Sequence, residues 1–93
     1  MYTVLNSPKY SEMKQKLTYI VQTAPDRFYL ALFLKPYAEE MPDTSLHMLY
    51  TCLNRLDSSP RSYLSAIQTI IENCYENMRV QEVIQEMIQK FYY

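Results

Sequence analysis

No glycine occurs in the chain's 93 residues. Average usage of about 7% would put roughly six in a sequence of this length. The consequence is geometric. Glycine is the default residue wherever φ must be positive or the main chain must approach a ligand closely. Phosphate-cradling loops, dinucleotide fingerprints, calcium loops and nucleophile elbows all depend on it, so none has a recognisable form here. Two-residue hairpins lose their preferred Asn-Gly turn as well. Helices suffer least, because Asn, Lys and Pro can manage their ends. The chain therefore leans to an all-α fold before any periodicity is read.

A chain of this length makes one domain, residues 1–93, with a short arm over 1–7. Apolar residues make up 48% of it and the net charge is −1, which suits a globular protein rather than a disordered one. The longest uninterrupted apolar run, Phe28 to Leu34, has seven residues, against the roughly 20 that a membrane span needs. Residues 1–7 lack the basic stretch and apolar run of a secretory signal. Cys52 and Cys74 lie 22 positions apart, which is neither a redox pair nor a zinc spacing. Both sit in apolar surroundings and read as small buried hydrophobes. A cytoplasmic, reducing environment is the simplest expectation.

Proline punctuates the chain. Ser7-Pro8 and Ser59-Pro60 each place a capping hydroxyl before a first helical residue. Ala24-Pro25 and Met41-Pro42 mark two more boundaries, with Asp43 available to cap the helix after it. Between them, apolar residues recur at helical spacing. Tyr10, Met13, Leu17, Ile20 and Val21 predict a helix over 8–23. Leu46, Leu49, Tyr50, Leu53 and Leu56 predict another over 44–56. Tyr63, Leu64, Ile67, Ile70, Ile71 and Cys74 predict a third over 60–77, and Val80, Val83, Ile84, Met87, Ile88 and Phe91 predict a fourth over 78–91. A break near Asn77 is favoured between the last two, with Gln81 the one lapse in the apolar phase.

The segment 25–40 is different. Residues 28–34 are apolar all round, as in a central helix or a fully buried strand, and their length and Leu-Ala content favour helix. Pro36 should end or kink it near Leu34. The expected architecture is a compact antiparallel bundle of four to five helices.

Chemistry-bearing residues are sparse. His47 is the single histidine; Asp43 could orient it, but local spacing brings it no nucleophile. Glu39/Glu40, Glu72/Glu76 and Glu82/Glu86 fall on polar faces and read as solvated. No Glu-x-x-His motif supports a carboxylate metal site. Neither a cofactor nor a metal is expected, and the chain reads as non-enzymatic. The alternative reading is a helix-turn-helix DNA-binding regulator over 44–71, with Arg61, Ser62, Ser65, Gln68 and Thr69 facing the bases. Its electrostatics are poor. The sequence pI is about 5.7, and residues 1–24, 25–57 and 58–93 carry +2, −2 and −1, whereas affinity for DNA rests largely on cations that neutralise phosphate. Nucleic acid is therefore the disfavoured partner. Ser7 and Ser59 could also be read as proline-directed phosphorylation sites, though helix capping explains both dipeptides.

What stands out is the load of ten Tyr, three Phe and six Met. Tyr and Met are enriched where proteins meet. The sequence thus favours an interaction protein of adaptor, chaperone or inhibitor type that works through a Tyr/Met/Leu-rich helix surface. Its partner is another protein, with a second copy of the chain among the candidates. The expected contact patch is the last helix: Met87, Phe91, Tyr92 and Tyr93, with Val83 and Ile84 beneath. Replacing Met87 and Phe91 by Ala should weaken association and leave helicity intact.

Overall fold

The computed structural model of the chain describes residues 8–23, 27–55 and 60–92. Five helices occur in order: α1 Pro8–Thr23, α2 Arg27–Glu40, α3 Ser45–Asn54, α4 Pro60–Glu76 and α5 Met78–Phe91. There is no strand among the described residues, and no described non-glycine residue has positive φ. Over the described residues the glycine-free chain thus folds without visiting the region that glycine serves.

Side-chain pairings fix the directions. Ser45 meets Asn73 and Cys52 meets Tyr63, so α3 and α4 are antiparallel. Tyr29 packs on Phe91 while Tyr37 reaches Glu86, so α2 and α5 are antiparallel too. Tyr10 meets Gln81 and Tyr19 meets Tyr92, so α1 and α5 run parallel. Rather than docking on its sequence neighbour α2, α1 packs chiefly on α4 and α5. The Cα radius of gyration is 12.2 Å, close to the roughly 12 Å of a compact chain this long.

The predicted stripes converge on one core. Leu17 and Ile20 of α1, Leu30 and Leu34 of α2, Leu46, Leu49 and Leu53 of α3, Ile67, Ile70 and Ile71 of α4, and Val80, Ile84 and Met87 of α5 are all buried. Polar groups among them are satisfied. Gln81, the lapse in the α5 stripe, is buried and accepts a 3.3 Å hydrogen bond from the Tyr10 hydroxyl. The Arg27 guanidinium donates to the Tyr63 hydroxyl at 2.9 Å, which donates in turn to the Cys52 carbonyl at 3.2 Å. That relay ties α2, α4 and α3 together.

Helix boundaries depart from expectation in three places. Pro36 does not end α2 near Leu34; the helix continues through it to Glu40. Its ring removes the hydrogen bond to the Leu32 carbonyl, yet Leu32 and Pro36 both face solvent. Water can satisfy the orphan carbonyl there, on the side where helices already bow outward. Asp43 does not cap α3. Thr44 holds the N-cap position, and its hydroxyl donates to the Met41 carbonyl at 2.7 Å. The cap comes instead from α4: Asn73 Oδ1 accepts from the Ser45 amide at 3.3 Å and from the Ser45 hydroxyl at 2.9 Å. Finally, α3 stops at Asn54, with Arg55 in extended conformation bonded back to Cys52.

The break near Asn77 is present. Asn77 is extended, and its side chain accepts from the amides of Arg79 at 3.0 Å and Val80 at 3.4 Å, so it ends α4 and caps α5. Two of the expected caps, Ser7 and Ser59, lie outside the described residues, as does Leu56.

Candidate interaction surface

The last helix does not present its apolar face. Val83, Ile84 and Met87 are buried, Met87 with 0% of its surface accessible. Met87 is a correction to the expected contact patch. It closes the core with Ile84, and no partner can reach it without opening the bundle. Phe91 is half-buried, its ring edge-on to Tyr29 at 5.5 Å and to Phe33 at 5.6 Å between centroids. Tyr92 is 40% exposed and lies against Tyr19 at 5.4 Å, with the Lys16 ammonium 5.4 Å from its ring. Tyr93 lies outside the described residues.

Exposed large apolar side chains occur on every helix, Tyr19, Met48, Leu64, Tyr75 and Met78 among them, but α2 carries three, more than any other described helix. Leu30, Ala31, Leu34 and Ala38 turn inward. A helix with apolar residues on all sides must then show some of them to water. Phe28, Tyr29 and Leu32 do so, at 47%, 52% and 64% exposure. Phe28 and Leu32 stand one turn apart on the same face, and Tyr29 turns toward α5, where Phe91 steadies it. Sequence reasoning placed this run in the interior. A usable signal was present in the lack of any polar side over residues 28–34: a bundle of five short helices has no site where one of them is enclosed all round.

Three cations border the patch. The Arg27 guanidinium stands 5.5 Å from the Phe28 ring. The Lys90 ammonium lies 5.4 Å from Phe33, 5.7 Å from Phe91 and 5.9 Å from Tyr29, within the range of a cation–π attraction. Lys35, one turn on from Leu32, is exposed. None of the three pairs with a carboxylate among the described residues. Farther along, Arg79 joins Glu40 at 3.4 Å and Glu82 at 3.6 Å and lies over the Tyr37 ring.

The remaining candidates are scattered. His47 is exposed, with its ring 6.4 Å from that of Tyr50. Neither Cys52 nor Cys74 is in a disulfide. Cys52 is half-buried, while Cys74 lies in the core, where burial pushes its thiol up to about 12, opposed slightly by the charge of Lys9. A thiol held neutral in this way is a poor nucleophile. The paired carboxylates are exposed, and Glu72 and Glu76 share a cleft of about 290 Å³ with Asp43, Thr69 and Asn73. Among the described residues no three His, Cys, Asp or Glu side chains are grouped to hold a metal ion. On α4, Arg61, Ser62, Ser65 and Gln68 face solvent, and Thr69 is half-buried with its hydroxyl bonded to the Ser65 carbonyl. Arg61 shares that helix surface with Glu72 and Glu76. No described helix is long and apolar enough to cross a membrane.

Comparison with known proteins gives no match: no family model, no curated protein and no solved structure is similar to this chain.

Proposed function

We propose that the chain is a non-enzymatic interaction protein, of adaptor, chaperone or inhibitor type, and that α2 is the surface it offers to another protein. The observation that carries this reading is the exposure of Phe28, Tyr29 and Leu32 on one helix. A contiguous apolar patch costs solubility unless something covers it, and aromatic side chains contribute large contact area at low entropic cost. The aromatic excess supports the same reading. Several of the tyrosines line the α2–α5 and α1–α5 seams, where they hold exposed rings in place.

The test is a comparison of wild type with Leu32→Asp in affinity capture from the native cell, followed by binding measurements on each captured protein. Leu32 packs little against the core, so the variant should keep wild-type circular dichroism and melting temperature while losing the specific partner. Equal retention of the same partner by both proteins would remove α2 from the assignment.

A further inference from the structure

We infer that the partner segment docking on α2 is an acidic amphipathic helix, with apolar side chains seated on Phe28, Tyr29 and Leu32 and carboxylates reaching Arg27, Lys35 and Lys90. This rests on the reading of α2 as the docking surface and adds the chemistry of the occupant. The warrant is the sign of the border. Cations stand at the N-terminal end of the patch (Arg27), beside Leu32 (Lys35) and at the α5 seam (Lys90), and no described carboxylate lies within 4.0 Å of any of them, although Glu39 follows Lys35 by one turn and Glu86 precedes Lys90 by one turn. The acids of α2, Glu39 and Glu40, lie at its far end, where Glu40 is held by Arg79. A ligand with basic flanks would set like charges together over the patch, whereas one with acidic flanks would complete three charge pairs around an apolar centre. Such complementarity raises the association rate and selects among apolar partners.

The rings are already ordered. Tyr29 and Phe33 both meet Phe91 edge-on, so docking need not immobilise them. Exposed side chains one turn apart match the spacing of a helix laid along a helix. An anionic bilayer is the weaker match, since polybasic segments that hold one bring about four to eight cations and this patch has three, on a chain of net charge −1.

The probes are two synthetic helical peptides with the same leucine stripe, one flanked by Glu and the other by Lys. Their binding to the full chain is measured by fluorescence anisotropy. The Glu-flanked peptide should bind at least about tenfold more tightly, and added salt should narrow the gap. Lys35→Glu combined with Lys90→Glu should reverse the preference, and Lys35→Glu alone, which disturbs no ring contact, should weaken it. Leu32→Asp should abolish binding of both peptides.

Equal affinities that Leu32→Asp abolishes would overturn the acidic assignment and leave α2 as a docking surface. Binding indifferent to Leu32→Asp would overturn both. The acidic assignment also falls if neither peptide binds. It falls equally if phosphatidylserine vesicles capture the chain in preference to the Glu-flanked peptide, or if the chain forms a concentration-dependent dimer that Leu32→Asp dissolves and the peptide cannot displace.

Discussion

Helices α2 and α5 are each 14 residues long, rich in apolar side chains, and in contact along one seam. They use those side chains in opposite ways. On α5 the apolar residues share one arc, the exposed Met78 at its start excepted, and Val80, Val83, Ile84 and Met87 all disappear into the core. On α2 they surround the helix, so burying Leu30, Ala31 and Leu34 leaves Phe28, Tyr29 and Leu32 outside. A well-segregated helix commits its hydrophobicity to folding. An unsegregated helix at the margin of a small bundle has apolar surface left over for contact.

The largest test of this contrast sets Met87→Ala against Leu32→Ala. Truncating Met87 in a closed core should cost about 2–5 kcal/mol of stability, whereas Leu32→Ala should stay within about 0.5 kcal/mol. Urea denaturation checks both. Similar losses from the two variants would erase the distinction between an inward and an outward helix.

Next in size is Pro36→Ala. Proline in a helix interior costs up to about 3 kcal/mol relative to alanine. Because Pro36 faces solvent, the substitution should restore the amide bond to the Leu32 carbonyl without disturbing the core. The expected outcome is a higher melting temperature. A lower one would show that the proline shapes α2 for packing.

The smallest effect concerns the two thiols. Cys52 should react with iodoacetamide in the folded protein, and Cys74 should not until the chain unfolds; equal native rates would contradict the burial of Cys74. Alkaline pH supplies a second reading. The folded Cys74 thiol keeps its proton up to about 12, against an ordinary value of 9.0. Above pH 9 the unfolded chain therefore releases a proton that the folded chain retains, and stability falls as pH rises. The contribution is fully present below pH 9 and is lost progressively toward 12. In denaturation series at rising pH, the stability of wild type relative to Cys74→Ala should decline through that window.

Much of the fold was legible in the sequence, because local chemistry and tertiary packing agree over most of it. Pro8 and Pro60 open helices at the expected residues, and Asn77 breaks α4 from α5 because its side chain bonds two amides ahead of it. The stripes on α1, α3, α4 and α5 are core, the exposed Leu64 of α4 excepted, because each has a polar side to turn outward.

The proposed contact surface was legible only in kind. Periodicity locates the buried side of a segregated helix but has no phase to read over residues 28–34. A strong apolar arc at the chain's end invited an interface assignment, yet the core is the first claimant on such an arc, and Met87 shows it. Gln81 appeared as a flaw in that arc until Tyr10, 71 positions away, supplied its partner. The cap of α3 was hidden for a similar reason. Asp43 is adjacent in sequence, but Asn73 is adjacent in space.

That borrowed cap bears on whether α3 can stand alone. The first amide of α3 is bonded by a side chain 28 residues downstream, and nothing beside it in sequence does the same work. A peptide cut from residues 41–55 would therefore lie unwound in water. The third rod gains its first bond only where the fourth lies beside it.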